Sequence, residues 1–275
     1  MRIAVLCPSP YSETSTAIAA HLSTIGYVPV GVLTLPAWDW RTLIRKAGQW
    51  GWRGAFQFAQ AKLLPGRGKT VARLRNSSLE GYLSHGNGIF RSLSDVSRAY
   101  GFPVVTCRDQ NSPRALAQMK EWAPDIAIFT GGNILRRQLL EIPRLGTLNS
   151  HLALLPEIRG MSTVEWSLLS DLPLGITIHF MDSGIDTGPL LIRREFRDFR
   201  QCTSIADLQN RMIAAGIGLI GDAVAGLHQG TISAVAQVQR EEDHQYFVMH
   251  EALKALAGRQ LKRIQGAARA GNSNA

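Results

Sequence analysis

An amide, an imidazole and a carboxylate stand in the stretch from Gly146 to Pro189, which reads GTLNSHLALLPEIRGMSTVEW and, further on, GITIHFMDSGIDTGP. Asn149 and His151 are two residues apart. In a strand such residues point to one face, so both side chains can aim at a single atom if TLNSH ends a strand. Asp186 belongs to the loop SGIDTGP, where Gly184 and Gly188 permit tight backbone paths and Pro189 stiffens the exit. An amide donor, a titratable imidazole and a carboxylate are the parts needed to add a nucleophile to a carbonyl and to manage its protons.

The wider frame of these residues carries a resemblance. N-x-H-x-x-L-L-P, then R-G, then G-I-T-I-H-F-x-D-x-G-I-D-T-G-P, in this order and spacing, resembles the 10-formyltetrahydrofolate-dependent formyltransferases. That family includes the glycinamide ribonucleotide, methionyl-tRNA and amino-sugar N-formyltransferases. The close match runs from Pro124 to Leu191, and the βα pattern extends it back to Met1. Ala153 departs from the pattern, standing where the family commonly has Ser; a hydroxyl contact is lost but none of the three chemical groups.

The resemblance implies that Asn149, His151 and Asp186 form the catalytic set, with no metal, and that 10-formyltetrahydrofolate is the formyl donor. Asn149 would donate to the oxyanion formed when an amine attacks the formyl carbon. His151 would add a second donor if protonated, or help to move the amine proton. Asp186 would orient His151 or take that proton, directly or through water. The pteridine would sit between the segment Gly131 to Leu135 and the loop Met181 to Asp186, with Gly131, Gly132, Ile134, Leu135, Met181, Asp182, Gly184 and Ile185 as its contacts. Arg159 and Gly160 would approach the amine substrate, and His179 matches a position where several relatives also carry His. The acceptor is expected to be the primary amine of a small, anionic biosynthetic substrate, most plausibly a nucleotide-linked amino sugar. A methionyl-tRNA formyltransferase, a glycinamide ribonucleotide formyltransferase and a non-catalytic folate-binding or surface-binding protein stay open as alternatives.

Composition bounds the other classes. A chain of 275 residues with 45% apolar content can bury a full core. It holds no run of about 18 apolar residues, so no transmembrane helix is expected. The start MRIAVLCPSP reads as a first strand rather than a secretion signal. Cys7, Cys107 and Cys202 are scattered without CxxC spacing, which suits a reduced, cytoplasmic protein with neither disulfide nor zinc. The net charge is +9, and much of it lies between Arg41 and Arg75 and from Lys254 to Arg269. Such charge is either a solvated face or an attraction for an anionic ligand. No RNA-binding signature with stacking aromatics accompanies it, so nucleic acid is not favoured.

The elements that must position these residues follow an α/β rhythm. Arg2 to Cys7, Glu13 to Leu22 and Val28 to Leu33 read as strand, helix and strand, an opening that implies parallel pairing. The turn after the first strand lacks GxGxxG, so dinucleotide binding is not supported. Ser9, Ser12 and Thr14 there could cap a helix or bind a ligand at its N-terminus. The rhythm resumes with strand 103–106, helix 112–122, strand 125–130, helix 134–140, strands 146–150, 176–181 and 190–194, and a long helix 204–227. The expected fold is α/β, a mainly parallel twisted sheet with helices on both faces. It divides into a catalytic domain over 1–200, with a helical insert at about 36–100, and a C-terminal helical extension over 201–275 that is irregular from about Gly230 and ends in a disordered tail.

Within the insert, Trp38, Trp40, Trp50 and Trp52 alternate with Arg41, Arg45, Lys46 and Arg53. Their spacing predicts an amphipathic helix or helical pair, read as a specificity insert. Packing on the sheet and contact with a membrane surface both suit Trp and Arg, and a homo-oligomer stays open. A methionyl-tRNA enzyme would carry a C-terminal β-barrel, whereas the residues after Arg200 read first as helix rather than as many short strands.

Overall fold

The computed structural model describes residues 1–37, 74, 77–238, 240 and 243–272. The Trp- and Arg-rich stretch expected to form an amphipathic helix or helical pair, with Trp38, Trp40, Arg41, Arg45, Lys46, Trp50, Trp52 and Arg53, lies outside the described residues. The chain divides into two compact units, Met1–Gly146 and Thr147–Ala275.

The first unit runs β1 (Ile3–Cys7), α1 (Glu13–Thr24), β2 (Gly31–Thr34), α2 (Glu80–Leu83), β3 (Ser84–His85), β4 (Gly88–Ile89), α3 (Leu93–Tyr100), β5 (Val104–Thr106), α4 (Pro113–Trp122), β6 (Ile126–Phe129) and α5 (Arg137–Leu140). Its sheet is parallel throughout, in the order β6–β1–β2–β5. Every residue of β1 and β2 is buried, as the near-continuous apolar runs of a sheet covered on both faces require. Ser12 caps α1 by accepting the amide of Ser15, so the hydroxyls after β1 serve the helix N-terminus at that position. The part of the insert that is described, α2 and α3, packs against α1. At Gly31 a Cβ would run into the Trp122 indole, so glycine lets α4 close on β2.

The helix expected over 134–140 is shorter than its sequence suggests. Asn111 holds the residues before it in another conformation: its Nδ2 donates to the Ile134 carbonyl at 3.0 Å, and its Oδ1 accepts the Arg136 amide at 2.7 Å. Those backbone groups are spent on a side chain, and only Arg137–Leu140 is helical.

The second unit contains β7 (Gly146–His151), β8 (Ile158–Gly160), α6 (Thr163–Leu169), β9 (Gly175–Phe180), β10 (Leu190–Glu195), α7 (Ile205–Gln229), β11 (His244–Tyr246) and α8 (Glu251–Asn272). Pairing across β7–β9–β10 is antiparallel, while β8 and β11 form a separate parallel pair. The 25-residue α7 begins at Ser204, whose hydroxyl accepts the Asp207 amide, and stops at Gly230 with φ +71°. Its buried face, including Leu208, Met212, Ile220 and Val224, packs on β9 and β10. At Gly216 a Cβ would come within 2.5 Å of Ser150 Oγ, so this helix lies directly against β7. Among the described helices, α7 is long and apolar enough to cross a membrane by length and composition, and half of that window is buried within the fold.

Within the C-terminal extension, expected to be helical but less regular from about Gly230, the residues after Gly230 supply β11 and the 22-residue α8, which continues to Asn272. Leu253, Ala257 and Leu261 recur at helical spacing, and Ala257 and Leu261 are buried where α8 meets α6 and α7. The three last residues lie outside the described part.

Candidate active site

The strand register brings the chemistry together. Asn149 and His151 share one face of β7, and Asn149 stands opposite His179 in the pairing of β7 with β9. Asn149 Nδ2 lies 3.2 Å from His179 Nε2. The other ring nitrogen of His179, Nδ1, lies 2.9 Å from the Phe180 carbonyl and must donate to it. Nε2 of the neutral ring is then an acceptor, and the Asn149 amide donates to it. One hydrogen of that amide remains uncommitted by this bond.

His151 is oriented in the same manner from the other side. Its Nε2 lies 2.9 Å from the Ile158 carbonyl and donates to it, which turns Nδ1 toward Asp186 Oδ2 at 3.5 Å. Asp186 Oδ1 is 3.6 Å from His179 Nε2. The carboxylate therefore faces both imidazoles, whose ring centroids are 6.2 Å apart and nearly perpendicular. His151, His179 and Asp186 are 6%, 1% and 15% exposed at their side chains. Burial, reinforced by the neighbouring His151, pushes the His179 imidazole down to about 4, although Asp186 acts in the opposite sense. His179 is accordingly a neutral ring that orders its neighbours across the usual pH range.

Asp186 sits at φ +55°, a left-handed conformation uncommon for a residue with a side chain. Its Oδ2 accepts the Gly160 amide at 2.8 Å. Gly160, expected as a substrate contact, thus uses its N–H on the carboxylate. A Cβ there would also run into the Tyr246 carbonyl, because β8 and β11 pair through this residue. Beside it, Arg159 Nε is buried without a hydrogen-bond partner. Ala153, the departure from the family pattern, is fully buried, and its carbonyl accepts the Thr177 hydroxyl at 2.7 Å. Thr177 Oγ1 also accepts the Leu155 amide, which shapes the turn after β7.

The two segments expected to hold a pteridine lie in different units. In the second, Asp182 Oδ1 accepts the Gly184 amide and the Thr187 hydroxyl, at 3.0 and 2.7 Å, and so closes the loop on itself. Met181 donates its amide to the Thr147 carbonyl, and Ile185 is half exposed. In the first, Gly131 and Gly132 adopt φ of +126° and +139°. Ile134 is 90% exposed, whereas Leu135 is buried. The fully buried Gln110 organises this turn, accepting the Asn133 amide and donating to the Gly131 carbonyl. Neither Gln110 nor Gln237, whose amide donates to the Asp186 and Gly188 carbonyls, was singled out from the sequence. A lone glutamine outside any spaced pattern gives no signal there.

Comparison with known proteins agrees with the frame of these residues. The model of a family described as formyl transferase matches residues 84–224, just over half of the chain. A methionyl-tRNA formyltransferase from Geobacter metallireducens is 33% identical over 144 residues, 52% of this chain and 46% of that protein. The chain thus spans about half the length of the curated relatives it matches. Among solved structures, a phosphoribosylglycinamide formyltransferase from Anaplasma phagocytophilum aligns with a TM-score of 0.55 at 16% identity, over 90% of this chain and 99% of its own. A sugar N-formyltransferase from Shewanella sp FDAARGOS_354 aligns with a TM-score of 0.54 at 14% identity, over 94% and 87%. At those identities the likeness is one of fold.

Proposed function

This chain belongs to the formyl transferase family, and on that premise we propose that it moves the formyl group of 10-formyltetrahydrofolate to the primary amine of a small biosynthetic substrate. The proposal is supported by the bond of Asn149 to His179 and by the placement of Asp186 against both His179 and His151. The donor supplies a carbonyl carbon already activated for transfer, and the rest of the chemistry falls to the chain. Asn149 keeps one amide hydrogen for the oxygen on which negative charge develops as the amine adds. The ammonium so formed must lose a proton; Asp186 accepts it, with His151 Nδ1 placed to share it. Returned to the departing nitrogen, that proton completes the exchange of one C–N bond for another. Backbone groups of Met181, Asp182, Gly184 and Ile185 suit a pterin edge, and the half-exposed Ile185 offers an apolar contact for a ring. Cys7, Cys107 and Cys202 as buried free thiols fit a cytoplasmic setting.

For the acceptor, a nucleotide-linked amino sugar is the reading we favour. Its support is the net charge of +9 and the Arg, Lys and Trp content of residues 36–75, since guanidinium pairs with phosphate and indole stacks on a base. A second reading, methionyl-tRNA, draws on the 33% identity with a methionyl-tRNA formyltransferase. The test is release of tetrahydrofolate from 10-formyltetrahydrofolate by the purified chain, offered nucleotide-linked amino sugars, glycinamide ribonucleotide or charged methionyl-tRNA. Transfer to the amino sugars is the expected outcome. Transfer to methionyl-tRNA alone overturns the choice of acceptor, and no acceptor-dependent release in any arm overturns the activity.

A further inference from the structure

Gln237 lies beyond the residues that the family model matches, in the segment that follows α7. It nevertheless reaches the loop that carries Asp186. Its Nε2 donates to two backbone carbonyls, that of Asp186 at 3.0 Å and that of Gly188 at 2.5 Å. Both partners are acceptors, so the amide fits only with its nitrogen toward the loop. Oε1 consequently faces elsewhere, and it is buried with no hydrogen-bond partner. An unpaired buried carbonyl is unfavourable, yet this side chain keeps one while committing both donors to the loop.

The backbone around Gln237 is anchored as well. Two residues before it, Val235 exchanges both hydrogen bonds with Leu190 at 2.8 Å, which ties this segment to the start of β10. Gly188, the second carbonyl in the clamp, lies so close to the Phe180 carbonyl that a Cβ would collide with it. The loop is therefore gripped from three sides: Asp182 from within, Gly160 at the carboxylate, and Gln237 at the backbone. The grip falls where the backbone needs it, since Asp186 sits at φ +55°.

We propose that Gln237 is a positioning residue for the transfer reaction, clamping the Asp186–Gly188 turn so that the Asp186 carboxylate stays between His151 and His179. It acts through Asp186 and touches no reacting atom. The inference rests on the reading of Asp186 as the proton acceptor, and it makes the segment after α7 part of the active site's support.

Two substitutions test it. Gln237→Leu keeps the side-chain bulk and removes the clamp together with the unpaired Oε1. The thermal midpoint falls only modestly, as two carbonyls lose their donor, while kcat falls roughly tenfold or more and the Michaelis constant for the formyl donor moves less than about twofold. A residue that served only packing would not divide stability from kcat in this way. Gln237→Glu sets a carboxylate oxygen against two carbonyls, and only its protonated form has a donor to give them. Its kcat relative to wild type therefore recovers as the pH is lowered.

A third readout needs no turnover: in both variants the imidazole 15N signals of His151 and His179 at neutral pH shift from their wild-type positions, because the facing carboxylate has moved. Unchanged ring signals with unchanged kcat overturn the clamp. Should Gln237→Leu fail to fold, a Gln237→Glu pH profile parallel to wild type overturns it equally. If the wild type transfers no formyl group to any acceptor, the functional reading fails, and the ring signals still decide whether the clamp exists.

Discussion

Asn149 and His179 face each other across β7 and β9, and the amide nitrogen of the one lies 3.2 Å from Nε2 of the other. The bond has a direction. Because His179 Nδ1 donates to the Phe180 carbonyl, Nε2 accepts, and the Asn149 side chain is held with its nitrogen inward and one hydrogen still available. The Asn149 amide is thus oriented before any substrate arrives, which is what the oxyanion-donor role proposed for it requires. A protonated His179 would have nothing with which to accept that amide, so the arrangement depends on the ring staying neutral.

That dependence makes stability a function of pH. His179 is pushed down to about 4 in the folded protein from an ordinary value of 6.5, first by burial and then by His151. Between those values the unfolded chain binds a proton that the folded one does not, so stability rises with pH across the window and levels off above it. Lowering the pH from 6.5 toward 4 is expected to reduce the urea midpoint of the wild type. His179→Gln, which cannot titrate, loses this part of the slope. Identical slopes for the two proteins between pH 4 and 6.5 would show that the ring titrates alike whether folded or not.

Asp186→Asn separates proton handling from shape. Asparagine tolerates the left-handed conformation at φ +55°, and its side-chain oxygen can still accept the Gly160 amide. What it loses is a group able to take the amine proton beside His151. Turnover should fall on the order of a hundredfold or more, with donor affinity and thermal midpoint close to wild type. Near-normal turnover would make Asp186 a structural residue.

Legibility from sequence followed the range of the interactions. The same-face placement of Asn149 and His151 is a local property of a strand, and the position of Asp186 in a glycine-bounded loop is nearly as local. What joins them is the antiparallel register of β7 with β9, a pairing across about 30 residues that no local pattern states. The start of α5 is not legible locally, because Asn111, more than 20 residues away in the chain, takes the backbone groups of Ile134 and Arg136. With α8 the signal was present, in the spacing of Leu253, Ala257 and Leu261, but the many charged and small residues of the tail masked it. Gln237 gave no signal of any kind, since its role lies wholly in which carbonyls the fold brings to it.

Gly160 offers the sharpest separation of backbone from side chain. It joins β8 to β11, stands at φ +95°, and gives its amide to Asp186 Oδ2 at 2.8 Å. A methyl group at this position would strike the Tyr246 carbonyl, backbone that cannot swing aside as a side chain would. Gly160→Ala must therefore displace β11 or flatten its own φ, and either change pulls the amide away from Asp186. Strain at such a position is worth about 1–3 kcal/mol, so a clear drop in thermal midpoint is expected together with a loss of turnover. The pairing of the two losses is the diagnostic. If Gly160→Ala lowers stability by this amount yet leaves turnover intact, the Asp186 loop is held well enough by Asp182 and Gln237, and the Gly160 amide is a bystander to catalysis.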